Sequence, residues 1–264
     1  MIYKQLLLLS LIFSLRNIVA QISDKDLKKD FVVISDQLYA GKYEVSNVAY
    51  RSFLDDLKRQ NKTTELEVAR IDSCKWTPPF GNGSYHEKLM EYYHVHPGYN
   101  EYPVVNISHS AAKAYCAWLT EKYHANSRRK YQHVLFRLPT QQEWEQAAHD
   151  KDSNARFPWK GDLFFDKHLR FQCNGLMYYS HYDFIQANML EMDLLQPVKS
   201  FKPNSIGLYN VSGNVAEMVS DLALTKGGSW QDDSFYMQIK VSQPYNLESQ
   251  YDVGFRVFME ILEP

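Results

Sequence analysis

The chain has 264 residues, with 29 lysines and arginines against 31 aspartates and glutamates and a formal net charge of −2. That near-balance excludes the concentrated basic face that nucleic acid demands, and the length suits one large domain with a substantial core. Three cysteines, Cys74, Cys116 and Cys173, permit at most one internal disulfide and form no CxxC motif, which excludes a disulfide framework.

Residues 1–20 read as a secretory leader. Lys4 is the only charge before an apolar run from Leu6 to Leu15, and Ile18-Val19-Ala20 precedes Gln21. The run is shorter than the roughly 20 apolar residues that span a bilayer, and Arg16 interrupts it. Cleavage after Ala20 is expected to leave residues 21–264 as one domain. Gln21 stands where a lipid-accepting cysteine would be, and no later segment is apolar enough for a membrane span.

Phe31-Val32-Val33-Ile34 reads as a buried strand. A helix follows, capped by Ser46 or Asn47, with Tyr50, Phe53, Leu54 and Leu57 on one face. Residues 71–101 are loop-like. Pro103-Val104-Val105 leads to Ser108, the N-cap of a second helix whose apolar stripe is Ala112, Tyr115, Cys116 and Leu119. Arg128-Arg129-Lys130 sits in a polar connection and reads as a solvated loop. A third helix opens at Thr140, where T-x-x-E with Glu143 makes a capping box. Beyond Phe157 periodicity fades. Short strands are expected around Leu208, Gly227–Trp230, Met237–Val241 and Gly254–Met259. Early helices and a loop-rich β region predict an α+β fold, and nineteen tyrosines and five tryptophans suit a large irregular core.

Several short stretches recur in a known order: Tyr43-Glu44-Val45-Ser46-Asn47, Tyr102-Pro103-Val104-Val105-Asn106, Ala114-Tyr115-Cys116-Ala117-Trp118 and Phe136-Arg137-Leu138-Pro139-Thr140. Asn210-Val211-Ser212-Gly213-Asn214-Val215-Ala216-Glu217, Lys226-Gly227-Gly228-Ser229-Trp230 and Gly254-Phe255-Arg256 complete the set. The series resembles the formylglycine-generating-enzyme, or sulfatase-modifying factor, domain over about residues 31–258. The resemblance implies a fold related to C-type lectins, with little regular secondary structure and with structural calcium. In the oxidases of this family two cysteines past the Gly-Gly-Ser motif hold copper, and soft thiolates select Cu(I). The matching positions here are Asp232 and Met237, so the resemblance implies loss of that oxidase activity, with no copper expected. It also places Val257 opposite Cys116, and Ala148 and Ser242 at a second family disulfide, so neither family bridge can form. The long link Leu119–Leu135 is similar to that of gliding-motility and secretion-associated lipoproteins, which are scaffold components of an envelope machine.

The resemblance assigns calcium to Asn210, Gly213, Val215 and Glu217, through two side chains and two backbone carbonyls, a hard-oxygen set of the kind Ca²⁺ takes. Asn188 and Met189 match the first two ligands of a second site, whose loop through Asp193 is shortened. His94-Val95-His96 could present two imidazoles on one strand face but lacks a third ligand nearby, so packing is the expected role. Glu143 and Glu145 read as capping and surface residues. Two function classes stay open. One is a non-catalytic scaffold or binding module, secreted or periplasmic, with a protein or glycan partner at the envelope. The other is a metal-dependent enzyme of altered chemistry using Asp232 and Asp233.

Overall fold

The computed structural model describes residues 24–76, 89–149, 152–161, 164, 166–168, 170–175, 195–221 and 223–263. The expected leader at residues 1–20, Asn188 and Met189 lie outside these described residues.

The first sheet joins both ends of the domain. β1 (Phe31–Ser35) pairs with β2 (Leu38–Gly41), β2 with β8 (Phe258–Glu263), and β8 with β3 (His133–Arg137), all antiparallel. Alternation along these strands sends neighbouring side chains to opposite faces. Phe136, Met259 and Ile261 enter one core cluster with Tyr50, Phe53 and Leu57 of helix Asn47–Arg59 and Ala112, Tyr115 and Cys116 of helix His109–His124. Leu38, Ala40 and Phe258 face the other way, onto Trp144, Ala147 and Ala148 of helix Gln141–His149. Helices lie on both sides of this sheet, but the cover is partial: β1 is not the buried strand expected, with Val33 59% exposed, and Leu135 of β3 faces outward at 37%. The tyrosines and tryptophans are spent here: Tyr50, Phe53, Tyr115, Trp118 and Phe255 meet as stacked, tilted and edge-on pairs 5.4–5.7 Å apart.

The three expected helices form where their caps predict. Ser46 Oγ accepts from Ala49 N and Ser108 Oγ from Ala111 N. Thr140 and Glu143 cap each other reciprocally: Glu143 N donates to Thr140 Oγ1 (3.2 Å), and Thr140 N donates to Glu143 Oε2 (2.8 Å). Two further helices, Asp24–Asp30 and Thr63–Val68, and strands β2 and β3 add to the expected set. The link after the second helix is shorter than the sequence suggested, because the helix runs on to His124 and β3 begins at His133.

The later strands correct the sequence reading. β4 (Ala216–Met218), β5 (Leu224–Lys226), β6 (Ser242–Pro244) and β7 (Val253–Gly254) form a second sheet in the order β6-β5-β4-β7, with β4 and β7 parallel. No strand forms at Leu208, Gly227–Trp230 or Met237–Val241, which are turns and irregular backbone. At Gly227 and Gly228 the cause is a backbone φ of +86° and +68°, incompatible with a pleated strand. The expected Gly254–Met259 strand is broken by Phe255-Arg256-Val257, where the chain leaves one sheet for the other.

Candidate functional site

The Asn210–Glu217 segment is a tight loop running into β4. Asn210, Gly213 and Asn214 all take positive φ (48°, 78° and 68°), a region open to glycine and tolerated by asparagine. A side chain at Gly213 would also place its Cβ 2.1 Å from Asn174 O. Asn174 O in turn accepts from Asn214 N at 2.7 Å, and Gly227 O from Gly213 N at 2.9 Å.

Strand pairing then builds a charged cluster beneath the loop. In β4, Glu217 lies opposite Gly254 of β7, and Arg256 follows two residues later. Arg256 meets Glu217 at 2.6 Å, and each side chain is 1% exposed. It also donates to Gly41 O and Tyr209 O, tying first sheet, second sheet and loop together. Trp144 Nε1 donates to Glu217 Oε2 at 2.8 Å. Glu44 enters from the far end of the sequence, 2% exposed, accepting from Asn210 Nδ2 (2.9 Å) and Asn214 Nδ2 (2.9 Å). Burial first, and then the Glu217 carboxylate, push Glu44 up to about 8, against the opposing pull of Arg256 and the two amides. Arg256 is ion-paired to Glu217 and reaches Glu44 only through its field, which leaves the cluster one cation short when both carboxyls are ionised.

One polar atom here has no partner. Asn210 Oδ1 is buried without a hydrogen bond. An orphaned amide oxygen beside a cation-deficient cluster fits a hard cation, and the carbonyls of Gly213 and Val215 are oxygens of the same kind. Glu217 fits only by sharing its carboxylate, since Arg256 and Trp144 already hold both its oxygens. Glu44 is the residue that the sequence reading missed. It stood in a quoted motif, but its role depends on a partner 166 positions away.

The adjoining Ser229–Met237 loop is occupied by its own side chains. Asp232 Oδ2 accepts from Ser229 N (2.7 Å) and Ser229 Oγ (2.6 Å), and Oδ1 accepts from Gln243 Nε2 (2.7 Å). Asp233 turns instead to Phe235 N at 2.9 Å, so the two aspartates serve separate turns. Met237 is fully buried, with Sδ 3.6 Å from the Cys173 thiol, which burial pushes up to about 12. Cys116 is free and buried in the same core cluster as Val257, and its thiol is also pushed up to about 12.

His94 and His96 do not form a pair of ligands. Asn47 spends its amide hydrogens on Tyr93 O and Tyr99 O, so its Oδ1 accepts from His94 Nδ1. Burial holds His94 neutral, down to about 3, while His96 caps Gly98 N on the surface. Glu143 pairs with Arg137 at 2.7 Å as well as capping its helix. Glu145 is not a surface residue: it is buried and pairs with the fully buried Lys226 (2.9 Å) and with Lys240 (3.0 Å).

With this geometry in hand, the likeness to known proteins is decisive for the family. The sulfatase-modifying factor enzyme 1-like domain model matches residues 21–261. The chain belongs to that family. It is 29% identical over 213 residues to the formylglycine-generating enzyme of Mus musculus, covering 72% of this chain and 50% of that protein. It is 27% identical over 229 residues to inactive C-alpha-formylglycine-generating enzyme 2 of Bos taurus, covering 80% of this chain and 64% of that one. The chain thus spans half of the mouse enzyme's length. Among solved structures it is similar to PvdO from Pseudomonas aeruginosa (TM-score 0.52, 18% identity, 84% of this chain and 80% of that one). It is similar also to CarF (TM-score 0.54, 19% identity, 85% and 86%). These structures establish the fold as that of the sulfatase-modifying factor family, with mixed helices and sheets. The family contains proteins named as enzymes and proteins named as inactive, so membership is consistent with a non-catalytic role. No helix among the described residues is long and apolar enough to cross a membrane.

Proposed function

We propose that this chain is a non-catalytic sulfatase-modifying factor domain, exported and used as a scaffold or binding module for a protein or glycan partner at the cell envelope. The resemblance of the Leu119–Leu135 stretch suggested a motility or secretion assembly, and such an assembly is the setting we propose, although helix and strand shorten the link itself to the residues between His124 and His133. The observation that carries the non-catalytic reading is the Ser229–Met237 loop. At the two positions where the family's oxidases place thiols, one side chain locks a turn through three hydrogen bonds and the other is sealed in the core. Asp232 has a full set of internal donors and Asp233 faces elsewhere, which favours this reading over a metal enzyme built on the two aspartates.

Calcium is the metal we assign to the Asn210–Glu217 loop, as a tie for a loop-rich region that has no disulfide among the described residues. Asn210 Oδ1, the Gly213 and Val215 carbonyls and a shared Glu217 oxygen would hold it. A loop offering one carboxylate, itself half-committed, suits the ~mM calcium found outside cells.

A cysteine-containing sulfatase peptide incubated with the protein, with and without copper, tests the conclusion. No aldehyde above a protein-free control is expected, and aldehyde formation would overturn it. Export is checked by N-terminal sequencing of protein recovered from outside the cytoplasm, which should begin at Gln21.

A further inference from the structure

The calcium assignment turns on one orphaned atom, and the side chain that orphans it lies outside the loop. Asn210 is 4% exposed, and its amide nitrogen donates to Glu44 Oε2 (2.9 Å) and Pro197 O (3.2 Å). An amide is planar, so fixing Nδ2 also fixes Oδ1, and Oδ1 is left with no partner. Both Glu44 oxygens accept from asparagine amide nitrogens, Oε2 from Asn210 (2.9 Å) and both oxygens from Asn214 (2.9 and 3.1 Å), so one carboxyl presents its acceptors to the loop and sets the orientation of both amides. The backbone next to Glu44 is itself pinned: Val45 N donates to Phe255 O (2.9 Å), and Val45 O accepts from Val104 N (2.8 Å).

We propose that Glu44 is a positioning residue for the cation of the Asn210–Glu217 loop, holding the Asn210 amide by its nitrogen so that Oδ1 faces the ion. This inference rests on the calcium reading and extends it to a residue 166 positions upstream. A hydrogen-bonded partner behind a metal ligand orients it, and losing such a partner typically costs about 10–100-fold in affinity. The Glu44 charge adds to the effect, since it favours a cation nearby.

Glu44→Gln separates positioning from packing. The substitution keeps the shape but brings an NH2 group against the two asparagine NH2 groups. Asn210 relieves that clash by turning over, and Oδ1 then accepts from the new amide. The ion then loses its Asn210 ligand. The melting temperature of the variant in chelator records what packing and hydrogen bonding it loses, since a turned Asn210 gives up its bond to Pro197 O. Calorimetric titration with calcium chloride should show binding at least about tenfold weaker, with a correspondingly smaller rise in melting temperature. A variant that melts lower in chelator but binds calcium as tightly has lost packing alone, and that result overturns the proposal. Unaltered protein that binds no calcium overturns the calcium reading itself, and this inference with it. Should the variant not fold, a calcium-bound crystal structure of the unaltered protein decides. An ion on Asn210 Oδ1 with Nδ2 still on Glu44 is expected; an ion bonded directly to Glu44, or an asparagine turned over, overturns the proposal.

Discussion

The Asn210–Glu217 loop and the Ser229–Met237 loop touch, Ser212 Oγ donating to Met237 O at 2.8 Å, yet the side-chain oxygens at their centres are settled in opposite ways, although Trp230 Nε1 of the second loop is buried without a partner. In the second loop Asp232 is satisfied from within by Ser229 and Gln243. Its neighbour Met237 packs so closely over Gly175 that a Cβ there would come within 1.5 Å of Met237 Cε. In the first loop a buried oxygen goes without a partner, and the one guanidinium is paired to Glu217 while Glu44 is buried nearby. Leaving a buried polar group unpaired costs roughly 1–3 kcal/mol, so an orphan points to something that compensates it in the working molecule. A fully paired set of acceptors points to a site that has become structure.

The sharpest way to break this comparison is to strip the first loop of its cation. Arg256→Met leaves Glu217 buried and unpaired, and breaking a buried pair from one side costs about 3–5 kcal/mol. A large drop in the urea midpoint is expected. An unchanged midpoint would show that the cluster carries no charge that matters.

Stability against pH should show both kinds of carboxyl. Burial opposes ionisation of Asp56, but hydrogen bonds from Lys122 and Trp118 and the charges of Lys122 and Arg59 hold it below its ordinary range. Burial likewise opposes Glu143 and Glu145, and Arg137 with Thr140, and Lys226 with Lys240, hold these two low. A depressed folded pKa gives stability that is present above the unfolded value of about 4 and lost as pH falls through the folded one. Glu44 works the other way. Its folded pKa of about 8 lies above the unfolded value, so in chelator stability should also decline as pH rises from about 4.5 toward 8. Melting temperatures across pH in chelator should therefore peak between these limits. A flat profile above pH 5 would contradict the burial of Glu44 as an unpaired charge.

How much of this was legible in the sequence depends on range. Ser46, Ser108 and the Thr140–Glu143 box are local devices, and each capped its helix as its spacing predicts. The strands of the second sheet are two or three residues long, too short for any period to register. β3 alternates in burial, Val134 and Phe136 inward and Leu135 outward, but three consecutive apolar residues hid that alternation. The buried cluster is the extreme case, because Glu44 meets Asn210, and Arg256 meets Gly41, only once β2 and β8 have paired.

A smaller effect tests the second loop. Asp232→Ala removes the acceptor for Ser229 N, Ser229 Oγ and Gln243 Nε2, and should cost about 1–2 kcal/mol in urea unfolding. A neutral result would mean that Asp232 does not hold the turn. Smaller still is the thiol pattern. Cys74 is exposed and should label in the native protein, whereas Cys116 and Cys173 should stay unmodified until denaturant is added. A mapped disulfide at Cys116 would contradict its place in the core.

The contrast between the two loops reduces to which metal the protein carries. Purified protein should be dialysed to equilibrium against millimolar calcium, and the metals on both sides of the membrane measured by mass spectrometry. The account predicts an excess of calcium on the protein side that is lost on chelation and depleted in Glu217→Gln, with no copper. Stoichiometric copper, or calcium no higher than in a protein-free blank, would contradict it.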